Sequence, residues 1–190
     1  MVFVLSLICA ASGLLMALVY DVTEAPIAEA RLHKKDDAIS KVLPPHDNDP
    51  ATTTNTVEYG GEKWTFYMAT KAGKYVGAAC ESISQEGYGG DIRVMVGITV
   101  DDKVYGIEVL SDHKETPGLG AQISQDTFCA QFADKPIGST TWSVAKDGGD
   151  IDGVTAATIS SRAVVSAVRA AAVDVYMNNK DAVYAEEVSE

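Results

Sequence analysis

The chain opens on an uninterrupted apolar run and then turns polar. Its first twenty residues, MVFVLSLICAASGLLMALVY, carry no charged side chain. Twenty helical residues span about 30 Å, the thickness of the hydrocarbon layer of a bilayer. The run predicts a single membrane anchor over residues 1–20. A cleaved signal peptide is the rival reading, but the run is longer than an h-region, has no basic n-region, and no A-x-A site follows it. Ile8 before Cys9 argues against a lipoprotein site, which needs a small residue there. Residues 21–43 (DVTEAPIAEARLHKKDDAISKVL) have the spacing of a polar amphipathic helix, and the Pro- and Asp-rich stretch 44–55 reads as a linker or surface loop.

From there the pattern changes to short runs of β-branched and aromatic residues. KWTFYMAT (63–70), KYVGAACES (74–82), DIRVMVGITV (91–100) and KVYGIEVL (103–110) predict strands, the last two joined at Asp101-Asp102 as a hairpin. Residues 122–133 suggest a short helix and 139–146 a further strand. From Ile159 to about Asn178 the chain is rich in Ala and Val without Gly or Pro, and predicts the longest helix of this part. Strands in series with helices to one side indicate an α+β fold with an antiparallel sheet. The layout is an anchor (1–20), a juxtamembrane helix and linker (21–55), and one domain (56–190).

Charge narrows the partners. All 15 Lys and Arg and all 27 Asp and Glu lie after residue 20, so the net charge of −12 belongs entirely to the polar part. Such a surface excludes nucleic acid and is a poor match to anionic lipid headgroups. The flanks of the apolar run weakly favour an inside N-terminus with the domain outside the cytoplasm. Cys80 and Cys129 stand alone, as a disulfide in an oxidising compartment or as buried thiols. His33, His46 and His113 lack metal-ligand spacing, so no protein-built metal site is expected.

Two stretches carry candidate chemistry. Residues 152–161, DGVTAATISS, crowd small hydroxyl residues where the long helix begins. Thr158, Ser160 and Ser161 are good N-cap residues, and capping is the ordinary role of such a cluster. The same features suit a phosphate, because a helix start offers unpaired N–H groups and the positive end of the macrodipole. Gly153, Ala156 and Ala157 leave room against the backbone, and Arg162 is placed to balance the charge or to sit solvated. HKETPGLG (113–120) forms a rigid turn whose free N–H groups suit the edge of a flat heterocycle, or simply connects two elements. A third stretch, EGYGGDIRVMVGI (86–98), sets Tyr88 in a Gly-rich turn ahead of a strand.

An apolar span, G-Y-G-G-x-I before a strand, E-T-P-G-L-G, and then D-x-x-[ST]-[GA]-A-T-x-[ST]-S occur here in that order. The combination resembles the covalent-FMN subunits of the Rnf and Na⁺-pumping NADH:quinone reductase complexes, over nearly the whole chain. ATISSRAVVSAV is nearer to the G subunit of Rnf than to the C subunit of the quinone reductase, which stands as the alternative. The resemblance implies that the hydroxyl cluster is the recognition site of a flavin transferase, with Asp152, Thr155, Ala156 and Ala157 read by it. It implies FMN bound covalently through a phosphodiester to Thr158. Thr155 stands for a Ser and Ala156 for a Gly, the latter unfavourable if that position needs positive φ. The resemblance further implies contacts to the flavin from Glu115, Thr116, Leu119 and Gly120, puts Lys146, Ser160 and Ser161 near the phosphate, and counts Gly118, Thr155 and Ala157 among the cofactor-binding residues.

The implied activity is electron carriage within an ion-translocating ferredoxin:NAD⁺ oxidoreductase in the cytoplasmic membrane. The implied partners are other membrane and iron–sulfur subunits, with no independent catalytic activity for this chain. An anchored binding or assembly module whose helix is merely capped is the reading from another class.

Overall fold

The computed structural model describes residues 2–110 and 113–185, so the expected domain's last residues, 186–190, lie outside it. Two compact units divide between Asp36 and Asp37. The first consists of most of helix α1 (Val2–Lys41), whose apolar portion is exposed and is long and apolar enough to cross a membrane. Pro26 lies inside α1, and three residues earlier the Thr23 hydroxyl donates to the carbonyl of Val19 at 2.7 Å.

The second unit is built on a six-stranded antiparallel meander: β1 (Thr54–Tyr59), β2 (Glu62–Lys71), β3 (Lys74–Gly87), β4 (Gly90–Thr99), β5 (Lys103–Val109) and β6 (Lys135–Pro136). Each strand pairs with its sequence neighbour; short turns join β1 through β5, whereas the chain from 110 to 134 separates β5 from β6. The β4–β5 hairpin turns at Val100–Asp102 as expected, with Asp102 at φ 59°. Asp tolerates that left-handed conformation better than most residues.

Alternation along β4 sorts the core into two layers. Val94, Val96 and Ile98 face one side, with Phe66, Met68, Ala78 and Cys80, under the C-terminal helical segment. That segment runs through α3 (Thr158–Arg169), a π-helical stretch (Ala170–Tyr176) and α4 (Met177–Val183). On the opposite side Met95, Ala69 and Ala79 meet Ala38, Ile39, Val42 and Leu43. Lys41 secures this edge with an ion pair to Glu108 at 2.7 Å. The expectation of helices on one side alone is therefore corrected: the last turn of α1 covers the second face. Ala69, Ala79 and Gly97 on that face are small where the covering backbone comes close. A Cβ at Gly97 would overlap the carbonyl of Val42.

Three further expectations change. The linker 44–55 ends early, since Thr54 and Asn55 already belong to β1, and the Asn55 amide donates to the carbonyls of Ala182, Val183 and Ala185. It thus closes the end of α4, whose last carbonyls have no helical partner. The expected strand 139–146 is absent. Trp142 is buried through its ring and an indole N–H donated to the Ile137 carbonyl, Val144 makes only an isolated bridge to Ile151, and Ala145–Asp147 is a 3₁₀ turn. The β-like composition there serves core filling, because β6 already occupies the edge of β5. The helix expected at 122–133 is interrupted at Gln125, whose extended backbone (ψ 146°) separates Gly120–Ser124 from α2 (Asp126–Cys129), and α2 tightens directly into a 3₁₀ turn at Ala130–Phe132. Cys80 and Cys129 are free buried thiols, and burial pushes them up to about 12 and about 11 respectively.

Two substitutions test this packing by urea unfolding in detergent. Gly97→Ala forces a methyl against the Val42 carbonyl and should cost about 1–3 kcal/mol. An unchanged midpoint would show that the 38–43 segment does not lie on the sheet. Ala156 has φ 63°, a strain of about 1–2 kcal/mol that exceeds the entropy a glycine loses on folding, about 0.5–1. Ala156→Gly should therefore raise the midpoint, and a lowered one would mean that Ala156 is not left-handed.

Candidate functional site

The start of α3 is set by what its first turns bury. Ala163, Val164, Ala167 and Val168 lie almost fully buried over β3 and β4, and Ser160 and Ser161 are buried with them. Each fully buried Val contributes about 1.5–3 kcal/mol, which holds the helix in one place along the sheet. The N-cap position falls on Ala157, whose lack of a polar side chain leaves the first turn without a side-chain cap. The capping expectation is thus corrected: Thr158 is the first helical residue, not a cap.

The loop before the helix is shaped from within. The Ser161 hydroxyl donates to the Ala157 carbonyl at 3.0 Å and accepts from the Val154 N–H at 2.9 Å. Ala157 N–H donates to Val154 O at 3.0 Å, and Ala156 takes its positive φ between them. Further back, the Gln131 amide brackets the backbone of Asp152, accepting from its N–H at 2.8 Å and donating to its carbonyl at 3.1 Å. That leaves the Asp152 carboxylate on an exposed loop.

Beside the helix start lies an open cleft of about 540 Å³. One wall is Ala156, Ala157, Thr158, Ile159 and Ser160; the other is Glu115, Thr116, Leu119 and Gly120, with Tyr88 at the edge. Three large apolar side chains stand at the cleft with unusual exposure: Tyr88 at 72%, Ile159 at 50% and Leu119 at 46%. Exposed apolar groups converging on a cleft, rather than scattered singly, mark a place where something flat and apolar is received.

A buried carboxylate joins the walls. Glu115 is 6% exposed; its Oε1 accepts from the Gly89 N–H at 3.0 Å and its Oε2 from the Ser160 hydroxyl at 2.6 Å. Close approaches surround it: a Cβ at Gly89 would overlap the Lys114 carbonyl, and one at Gly120 would overlap Glu115 Oε2. His113 ties the turn down through Nε2 to Ser124 Oγ at 2.7 Å, and the turn closes with Leu119 and Ala121 N–H groups donating to the Thr116 carbonyl.

The expected site residues separate into two sets. Glu115, Thr116, Leu119, Gly120, Ala156, Ala157, Thr158 and Ser160 come together at the cleft. Gly118 shapes the turn at φ 77°, Ser161 points into the loop it organises, and Thr155 and Asp152 are exposed outside the lining. Lys146 sits exposed on the Ala145–Asp147 turn, away from the lining, and Arg162 is engaged by Asp147 with two bonds of 2.7 and 2.6 Å. That guanidinium holds the Asp147 carboxyl below the usual carboxylate range, so Arg162 is already neutralised. Sequence reasoning used Tyr88 only as part of a Gly-rich turn, and missed Ile159, because an isolated Ile at a helix start looks like any core residue. Among the described residues no group of His, Cys, Asp and Glu could hold a metal ion.

The cleft fits FMN by chemistry and size. Its volume lies in the range of small-molecule sites, its apolar groups suit a flat ring, and a hydroxyl with uncapped helix amides suits a phosphate. An FMN-binding domain matches residues 87–173, a span that includes both walls. The chain is 36% identical over 182 residues to the G subunit of the ion-translocating oxidoreductase complex of Aliivibrio fischeri, covering 88% of this chain and 85% of that protein. It is 37% identical over 172 residues to the protein of the same name from Cereibacter sphaeroides, covering 86% and 78%. With that of Shewanella baltica the identity rises to 46% over 121 residues, 61% and 56% of the two chains. With similarity extending over most of both chains and through the cleft, the chain belongs to the family formed by the G subunits of ion-translocating oxidoreductase complexes.

Proposed function

We propose that Thr158 carries FMN through a phosphodiester and that this chain passes electrons within a membrane-bound, ion-translocating ferredoxin:NAD⁺ oxidoreductase. The observation that carries the reading is the separation of the two threonines of DGVTAATISS. Thr158 lines the cleft at the first residue of α3, whereas Thr155 is exposed outside it. A phosphate on Thr158 lies at the positive end of the helix, next to amides that no side chain caps. The ring then belongs among Tyr88, Leu119 and Ile159, with polar groups of Thr116 and Gly120 facing its edge. FMN supplies reversible uptake of one or two electrons, and attachment through phosphate leaves the ring itself unmodified. The tether makes retention of the cofactor intramolecular, so dilution cannot remove it.

The same reading gives the exposed loop a role in maturation. Asp152, with its backbone held by Gln131, is presented with Thr155 and Ala156 to a flavin transferase, and the buried Ala157 completes the motif at the base of the loop. The apolar part of α1 anchors the chain in the cytoplasmic membrane, with the FMN-binding domain on the extracytoplasmic side. Other membrane and iron–sulfur subunits exchange electrons with it across the exposed cleft.

Co-expression with a flavin transferase should add one FMN-phosphoryl group to the peptide containing Thr158, seen as a single mass shift and as fluorescence in a denaturing gel. Thr158→Ala should abolish both while the protein stays folded, since Thr158 makes no cap bond. Thr158→Ser should be partly modified, and Thr155→Ala modified more slowly. Full covalent flavin on the Thr158→Ala chain would move the acceptor elsewhere.

The anchor has its own test. The full chain should remain with membranes through carbonate extraction, and protease added from the extracytoplasmic side should cut the domain. Recovery of full-length chain in the carbonate supernatant would refute the span, and protection of the domain would reverse its side.

A further inference from the structure

Glu115 is an oddity in a cleft meant for an anionic cofactor. It is a carboxylate at 6% exposure, and the ion pairs among the described residues join other groups. Burial of a charge without a counter-ion is costly unless hydrogen bonds replace water. Here both oxygens are supplied with donors: Oε1 by the Gly89 N–H and Oε2 by the Ser160 hydroxyl. Neither bond needs a proton on the carboxyl group, and Ser160 is in the first turn of α3, where the macrodipole favours a negative charge. The arrangement is that of a hydrogen-bonded carboxylate with a donor on each oxygen. It also spans three separate pieces of chain: the β3–β4 turn, the 115–120 turn and the start of α3.

Resting on the reading that FMN occupies this cleft, we infer that Glu115 is a positioning residue that braces the cleft walls and, as a fixed negative charge, sets the flavin's potential low. Uptake of one electron without a proton adds one negative charge to the cleft, and the Glu115 carboxylate opposes that charge at short range. Coulomb's law at an effective dielectric of about 20 makes a unit charge about 12 Å away worth a factor of about ten in an equilibrium constant. Since Glu115 is part of the cleft wall, its effect is at least of that order. Electrons held at a lower potential are passed on more readily, so the carboxylate biases the subunit toward donating.

The decisive variant is Glu115→Gln in the full-length, flavinylated chain. Glutamine has the same shape; its carbonyl oxygen accepts from Gly89 and its amide donates to Ser160 Oγ, so the brace survives while the charge is lost. Spectroelectrochemical titration should show one-electron reduction easier by about tenfold, a positive shift of about 59 mV. Glu115→Asp keeps the charge and shortens the reach. It should melt at lower temperature, with or without flavin, while its potential stays nearer the wild type than that of the Gln variant.

An unmoved or lowered potential in a folded, flavinylated Glu115→Gln chain overturns the inference. Should that chain fail to fold, Ser160→Ala decides. Measured at a pH well above the carboxylate range, where the charge persists without the hydroxyl donor, the potential should fall because the charge is less compensated, and an unchanged or raised value there overturns the inference equally. Absence of covalent flavin from the wild type is a different outcome, which strikes the FMN reading itself.

Discussion

The seating of α3 across β3 and β4 is the constraint on which the rest depends. The buried face of this helix is made largely of Val and Ala, packed into one core with Ala78, Cys80 and Val94 of the sheet, which leaves it little freedom to slide. Fixing the helix along its axis fixes where it begins. Its first residue then falls at the cleft, and the second hydroxyl of the cluster, rather than the first, faces the space where a ligand fits. Ser160 and Ser161 would ordinarily be expected at the surface, yet both are buried, and each is turned into a structural bond: one to Glu115, the other to its own loop.

Polar groups inside this domain are used to tie segments distant in sequence. Asn55 closes the end of α4 from β1, Gln131 holds the backbone at Asp152, and Asp102 receives Lys180 at 2.6 Å from α4. In each case a side-chain group satisfies backbone or charged groups that an irregular segment would otherwise leave without partners. The loops bordering the cleft are consequently placed by hydrogen bonds, and their apolar side chains remain available. This division of labour explains why Tyr88, Leu119 and Ile159 are exposed while the polar residues beside them are committed.

Close backbone approach supplies the remaining order. Gly97 accommodates the Val42 carbonyl, Gly89 the Lys114 carbonyl, and Gly120 the Glu115 carboxylate. Each glycine is needed for space, so the Gly-rich stretches here are contact points between segments and not signs of mobility. The small residues on the second face of the sheet serve the same end, letting the chain that leaves α1 lie flat against it.

Period and composition in the amino-acid sequence determined the apolar span, four of the strands, the long C-terminal helix and the antiparallel α+β class, because alternation and helical spacing are local properties. The hydroxyl cluster and the HKETPGLG turn stood out because each is contiguous, though local sequence alone left capping and a plain connection open, and the resemblance supplied the chemistry. What lay beyond reach depended on contacts between distant residues. The β-like stretch around Trp142 makes no strand, since a free sheet edge is a tertiary property, and β1 was missed because it is mostly polar and buries only Val57, its pairing and its bonds to the end of α4 being made at a distance. Thr155 and Thr158 differ little as local sequence, yet only the packing of α3 on the sheet brings one of them to the cleft. The resemblance put Lys146 near the phosphate and position alone left Arg162 either balancing charge or solvated, but a cation's partner is chosen by geometry, and Asp147 is the group that the fold sets against Arg162.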